Sequence, residues 1–276
     1  MISPSGLHLR SIALDRTLRL PSGFPFNVPV IDALDRIDFD APVTFFVGEN
    51  GCGKSTLLEA IACAVGSITV GSVDARRDDS LAAVRDLGRR FKLIWSARTR
   101  RGFFMRSEDF FGYARHMSRL KEELEADLER VDREYEGRSR TAQLYARAAY
   151  QGQINQVEQY YGEGLDVQSH GESYLKLFQA RFVPGGLYLL DEPEAPLSPV
   201  RQMSFLVLLQ SMVEQEAQFI IATHSPIVMA YPGAQILLLE GGSIEAVDYE
   251  AVEHVQITRG FLNHPERYLD SLLRED

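Results

Sequence analysis

The sequence predicts an α/β fold with a mostly parallel core sheet, on three observations. The runs 43–47, 187–190 and 219–223 are apolar almost without interruption; such runs mark strands covered on both faces, as in a parallel sheet flanked by helices. Helical patterns occupy 57–62 and 202–216, so strands and helices alternate. Each apolar run also ends in glycine or polar residues: the stretch from Gly48 after the first, Asp191 and Glu192 after the second, His224 after the third. Open α/β sheets gather their ligands at that edge, outside the carboxyl ends of the strands.

With 276 residues the chain can bury a large core, and 1–276 is read as a single domain. The composition, 45% hydrophobic and 25% charged, is that of an ordinary α/β protein, and a net charge of −10 argues against a surface built for general nucleic-acid binding. No apolar stretch approaches the ~20 residues needed to span a bilayer. The start, Met1 to Gly6, lacks the basic-then-apolar layout of a signal peptide. Cys52 and Cys63 are expected to lie roughly 15 Å apart along a helix, too far for a bridge. A cytoplasmic protein with reduced thiols is expected.

From the amino end, residues 7–20 alternate polar and apolar (Leu7, Leu9, Ile12, Leu14, Leu18, Leu20) and are predicted as an edge strand. The turn-rich stretch 21–29 carries Phe24 and Phe26. Phe26 is a candidate to stack on an adenine ring; the competing reading is that both rings cover the sheet. A helix or strand through 30–40 leads into the run 43–47. Beyond the first helix, 67–73 is predicted as a short strand and 79–90 as a helix. Residues 85–106 then hold eight basic side chains (Arg85, Arg89, Arg90, Lys92, Arg98, Arg100, Arg101, Arg106) against one acid, Asp86. A solvated basic face and a phosphate- or nucleic-acid-binding patch are both open.

Residues 113–136 carry the clearest helical pattern, with Tyr113, Met117, Leu120, Leu124, Leu128, Val131 and Tyr135 at spacings of three and four. Such a stripe is a core or helix-pair seam. Gly137 interrupts it, and 141–161, rich in Ala, Gln and Tyr, supplies a second helix. Residues 107–165 are therefore expected to be a helical insertion. A loop at 162–168 precedes Ser169-His170-Gly171-Glu172-Ser173 and an amphipathic helix with Tyr174, Leu175, Leu177 and Phe178. Pro184-Gly185-Gly186 turns into the buried strand at 187. Strands at 235–239 and 243–247 around Gly241-Gly242 read as a hairpin, and the chain closes on helical, polar-faced segments.

Residues 48–56, Gly48-Glu49-Asn50-Gly51-Cys52-Gly53-Lys54-Ser55-Thr56, form a complete G-x-x-x-x-G-K-[ST] loop between a strand and a helix. That context separates a phosphate loop from a chance match. The glycines let successive N–H groups point at phosphate oxygens, and the following helix adds its positive end. Lys54 would reach the β- and γ-phosphates and the Ser55 hydroxyl would ligate Mg²⁺, so the loop implies a nucleoside triphosphate. Taken singly, Asp191-Glu192 could cap a helix and His224 could be structural. Placed at strand ends, they can converge on one triphosphate. Asp191 would hold Mg²⁺ through water, Glu192 would deprotonate the attacking water, and His224 would contact the γ-phosphate.

With these motifs the chain resembles the ABC-class P-loop ATPases, a family of transporter nucleotide-binding subunits and soluble chromosome-maintenance and repair ATPases. In that resemblance 48–56 is the Walker A loop, 187–192 the Walker B strand with its catalytic glutamate, and His224 the switch histidine. Ser169-His170-Gly171-Glu172 stands where the Leu-Ser-Gly-Gly-Gln signature lies, with His170 replacing a glycine. The likeness covers roughly 7–65 and 165–247, and is nearest to small stand-alone ATPases with Ser-His-Gly-Glu-Ser and Asp-Glu-Pro-Glu-Ala. It implies ATP and Mg²⁺ as cofactors, hydrolysis of ATP to ADP and phosphate, and a homodimer in which one subunit's signature caps the γ-phosphate bound to the other.

Three departures stand out. No glutamine occurs between Leu57 and Ala142, so the family's Q-loop residue is missing, and Glu108 is the candidate substitute near Mg²⁺. The D-loop reads Ala195-Pro196-Leu197-Ser198, with serine in place of the usual aspartate. The segment between Ser55 and Ser169 is too short for the long coiled coil of a chromosome-maintenance ATPase. The resemblance favours a soluble ATPase coupled to a cytosolic protein or nucleic-acid partner, of repair or defence type. The alternative is the nucleotide-binding subunit of an ABC membrane transporter, which the missing glutamine and altered D-loop disfavour. A P-loop kinase would leave His224 and the signature segment without a use.

Overall fold

The computed structural model describes residues 6–17, 19–70, 75–161 and 170–273. The amino-terminal half runs β1 (Leu9–Leu14), α1 (Pro29–Asp32), β2 (Arg36–Asp38), β3 (Val43–Val47), α2 (Lys54–Val65), α3 (Ala82–Arg89), β4 (Phe91–Trp95) and β5 (Phe104–Arg106). Two long helices follow, α4 (Ser107–Glu134) and α5 (Arg140–Tyr161), then α6 (His170–Arg181). The remainder is β6 (Leu187–Asp191), α7 (Pro199–Val213), β7 (Gln218–Ala222), α8 (Pro226–Met229), β8 (Gln235–Glu240), β9 (Ser243–Ala246), α9 (Glu253–Asn263) and α10 (Pro265–Leu273).

Six strands form the core sheet in the order β5-β6-β7-β3-β8-β9. Every neighbouring pair is parallel except the β8–β9 hairpin, so this is the mostly parallel α/β sheet that the apolar runs predict. Alternation along each strand divides it into two faces. Phe46, Leu189, Ile220 and Leu237 join Leu57, Leu58 and Ile61 of α2 in one core cluster. Phe45, Tyr188, Phe219 and Ile221 join Phe178 of α6 and Phe205 and Leu209 of α7 in the other. All residues of β3, β6 and β7 are buried.

A second, antiparallel sheet has the order β2-β1-β4. β1 is thus its central strand, not the edge strand expected from 7–20. Alternating polarity reports that one face is wet and says nothing of how many neighbours a strand has. Two glutamine side chains, Gln218 buried and Gln235 half-buried, tie the sheets together. The Gln218 side chain accepts from the N–H groups of His8 and Leu9 and donates to the Leu9 carbonyl. Gln235 accepts from Asp40 N–H and the Thr44 hydroxyl and donates to the Asp38 carbonyl.

The strand expected at 67–73 reduces, among the described residues, to one bridge between Thr69 and Phe104; 71–73 lie outside them, as does the loop at 162–168. Helix α4 begins directly at the carboxyl end of β5, and α5 leads back towards α6. The two long helices meet through Leu124 and Ile154, with Leu120, Leu128 and Tyr150 packed around them. The side chains of Tyr113 and Met117 lie outside the described residues. Among the described residues no helix is long and apolar enough to cross a membrane.

Candidate nucleotide site

Register alone brings the candidate residues level. Arg106 pairs with Asp191, Asp191 with Ala222, and Ala222 with Phe46. The carboxyl ends of β5, β6, β7 and β3 therefore finish in one row, and the loop 48–53, Glu192 and His224 all leave from it.

The loop geometry explains two of its glycines. Gly48 has φ +145°, and a Cβ there would lie 2.4 Å from the Leu239 carbonyl oxygen of β8. Gly53, the N-cap of α2, has φ +106°, with Val28 and Val30 methyls under 3 Å from a Cβ position. Among the described residues no side chain caps α2, which leaves its first-turn N–H groups to meet an anion. Lys54 is buried, and its Nζ donates to the Gly48 and Glu49 carbonyls, both at 2.9 Å. Cys52 and Cys63 are both free thiols.

On the facing side, Ser55 Oγ donates to Asp191 Oδ1 at 3.1 Å. Burial pushes the Asp191 carboxyl up to about 7, Glu192 and Glu59 add to the rise, and the Ser55 hydroxyl and Lys54 oppose it. Hydroxyl plus carboxylate is the hard oxygen donor set that Mg²⁺ takes beside substrate phosphates, so these residues fit that ion. Glu192 adopts φ +48°, a left-handed conformation that is strained for a residue with a side chain and typical of functional positions. Its N–H donates to the Ala222 carbonyl at 2.9 Å, and its side chain is 40% exposed.

His224 Nε2 lies 3.7 Å from Glu192 Oε1 and is buried without a hydrogen-bond partner among the described residues. Burial, then the nearby Lys54 charge, hold the imidazole below its ordinary pKa, which favours the neutral ring. The turn carrying it is clamped by one carboxylate. Glu194 Oε1 accepts from the Thr223 hydroxyl at 2.7 Å, His224 N–H at 2.8 Å and Ser225 N–H at 3.2 Å. Burial raises the Glu194 pKa, and with Oε1 committed to the Thr223 hydroxyl and two backbone N–H groups it is a structural clamp.

Two features here carry no signal in the sequence. His254, from the first turn of α9, places Nε2 3.4 Å from His224 Nδ1. Glu253 and His254 also line a cavity of about 520 Å³ bounded by 48–52 and 238–241. Nothing in a polar-faced terminal helix distinguishes that histidine from a surface one. The second is Arg106, whose guanidinium reaches Glu59 on α2 and Asp109 on α4 and so ties the phosphate-loop helix to the root of the long helices.

Phe26 requires correction. Its ring is buried in the core, and the Arg90 guanidinium sits over it at 5.5 Å, so its face is taken and it offers no adenine platform; Phe24 is 59% exposed. The basic stretch is largely engaged within the fold. Arg85 donates to the Asp78 carbonyl and Arg101 to the Pro184 carbonyl, while Arg90 pairs with Asp86 and Lys92 with Asp15. Glu108 sits in the first turn of α4, one residue beyond Ser107 and close to the Asp191 row, but its side chain lies outside the described residues. Ser169 lies outside them altogether. His170, Gly171 and Glu172 open α6, with side chains outside the described set.

Sheet, loop and edge together define a P-loop protein of the α/β class. A family model described as an AAA domain matches residues 27–164, half of the 276-residue chain, and the chain belongs to that family. No curated protein matches it. Among solved structures, a nucleotide-free ATP-binding cassette from an ABC transporter is similar at 16% identity and a TM-score of 0.49, covering 91% of this chain and 95% of that one. The ADP conformation of another ABC-transporter cassette is similar at 16% identity and 0.47, covering 93% and 97%. The Smc head domain from Pyrococcus furiosus, bound to the C-terminal domain of ScpA, is similar at 13% identity and 0.42, covering 92% and 99%.

Proposed function

We propose that the chain is an ABC-type ATPase that binds ATP with Mg²⁺, hydrolyses it to ADP and phosphate, and closes as a homodimer around two ATP molecules. The observation that supports this most is the level row of strand ends, which gathers Lys54, Ser55, Asp191, Glu192 and His224 at one edge. Lys54 exchanges its two backbone carbonyl partners for the β- and γ-phosphates, and the α2 N-terminus receives the phosphate oxygens. Ser55 would ligate Mg²⁺ and Asp191 would hold it through water, with Glu108 as a further acceptor beside them; the ion would there supply charge neutralisation of the β- and γ-phosphates. Glu192 takes the proton of the attacking water, and His224 donates from Nε2 to a γ-phosphate oxygen.

Ser169, His170, Gly171 and Glu172, at the start of α6, serve the other subunit's γ-phosphate. The stroke acts on a protein or nucleic-acid partner in the cytoplasm. Glu192→Gln tests the reading, because it removes the base and keeps the size of the side chain. Turnover should fall by roughly 10²–10⁴-fold with ATP affinity retained. Light scattering after size exclusion should give a dimer with ATP and Mg²⁺, and a monomer with ADP or no nucleotide. A variant that hydrolyses ATP at the wild-type rate, or binds ATP yet never dimerises, refutes the base assignment or the ABC-type stroke respectively.

A further inference from the structure

We propose that His254 is the positioning residue that sets the tautomer of His224, making helix α9 a working part of the phosphate site. The inference rests on the reading of His224 as a γ-phosphate contact. The two rings lie 5.2 Å apart between centroids at 64°, with His224 Nδ1 and His254 Nε2 at 3.4 Å. A neutral imidazole has one donor and one acceptor nitrogen, so a single proton occupies that gap.

A donor at His254 Nε2 holds His224 Nδ1 as the acceptor, and the other end of the His224 ring shows why that placement suits the site. There Nε2 is shielded from water, has no hydrogen-bond partner among the described residues, and faces Glu192 Oε1 at 3.7 Å. Were the bridging proton on His224 Nδ1, an Nε2 lone pair would point at a carboxylate and, with ATP bound, at a phosphate. Were it on His254 Nε2, His224 Nδ1 accepts and the remaining proton sits at Nε2, aimed at both anions. The second arrangement satisfies every neighbour. Charging the ring to avoid the choice is disfavoured by burial and by Lys54, while Glu192 opposes that effect. Glu194 reaches this turn through the His224 amide and leaves the ring free to respond to His254. His254 is itself well founded, because its neighbours Val252 and Val255 are buried in the core.

The test reads the ring nitrogens of His224 by ¹⁵N NMR in the full chain, assigned with His224→Gln, alongside ATP turnover. In the wild type the His224 proton is expected on Nε2. His254→Phe keeps a ring without a donor; it should move the proton to Nδ1 or to a mixture and lower kcat by roughly three- to tenfold with KM unchanged. His254→Gln offers an amide N–H at similar reach and should recover both readings. If the Phe variant does not fold, His254→Asn, too short to reach, takes its place. A wild-type proton on Nδ1, or an unchanged tautomer and kcat in the donor-less variant, overturns the proposal. A wild type without ATPase activity would instead overturn the proposed function, and the nitrogen resonances would still decide the role of His254.

Discussion

Glu194→Ala should loosen the turn that carries His224 and lower stability by about 3 kcal/mol. Glu194 Oε1 serves three donors, the Thr223 hydroxyl and the N–H groups of His224 and Ser225. Ser225 N–H keeps a second acceptor in Thr223 Oγ1 at 3.0 Å, and the hydroxyl can rotate, so the orphaned group is the His224 amide. An orphaned N–H costs about 1–3 kcal/mol and each lost bond to a charged acceptor about 1.5–3, from which relief of a buried carboxylate is subtracted. For a chain of 276 residues the melting temperature should fall by roughly 5 °C. With His224 contacting the γ-phosphate as proposed, displacing its imidazole by an ångström costs about 10²-fold in turnover, so kcat should drop at least tenfold with KM for ATP little changed. Glu194→Gln keeps the acceptor and should be milder. Because burial raises the Glu194 pKa, the folded chain holds that proton more tightly than the unfolded one. Wild-type stability from this group is full below the unfolded value and declines as pH rises past it. The Gln variant should accordingly look worse against wild type near pH 4 than near pH 7. Calorimetry and phosphate release measure both effects; a Glu194→Ala protein with wild-type melting and turnover would refute the clamp.

Lys54→Ala should abolish ATP binding by titration calorimetry, since the contact to the β- and γ-phosphates is lost; unchanged affinity would remove the site. Asp191→Asn should stabilise nucleotide-free protein in EDTA. The folded carboxyl titrates at about 7 against 3.8, so wild-type stability falls between pH 4 and 7, and the variant's advantage should grow over that window to about 4 kcal/mol at most; a pH-independent difference would contradict this. His170→Gly should reduce ATP-dependent dimerisation and turnover if the imidazole donates across the dimer, and identical behaviour from pH 6 to 8 would mark His170 as a bystander.

What could be read in the sequence was local. The strand–glycine–helix grammar around Lys54 and the apolar runs ending at Asp191 and His224 are contiguous, and the parallel sheet follows from them. What could not be read depends on partners far along the chain. The alternation in 7–20 is real, yet only the pairing of β1 with both β2 and β4 reveals a central strand. Phe26 reads equally as an adenine platform or as cover for the sheet until Arg90 is placed over its ring, and the same arginine belongs to a basic run whose charges are largely met by the carboxylates of Asp15, Asp86, Glu59 and Asp109 and by the backbone carbonyls of Asp78 and Pro184. Gln218 and Gln235 read as ordinary polar residues; their value as rivets between sheets exists only at separations near 200 residues. His254 is of the same kind, since its partner lies 30 residues upstream on a different element.

The two long helices have their roots at different parts of the proposed engine. α4 starts beside Arg106, which holds Glu59 of the phosphate-loop helix, and α5 runs back towards the signature helix α6. With 28 residues, α4 is about 42 Å long, so a tilt of about 5° at its root sweeps its tip through about 3–4 Å. The hairpin is geometrically a pointer: small adjustments at the phosphate end become visible displacements far from it. The converse also holds, for a load on the tip is returned, with leverage, to the residues that grip the nucleotide. Under the proposed function, a partner held at that tip would be mechanically coupled to the nucleotide end.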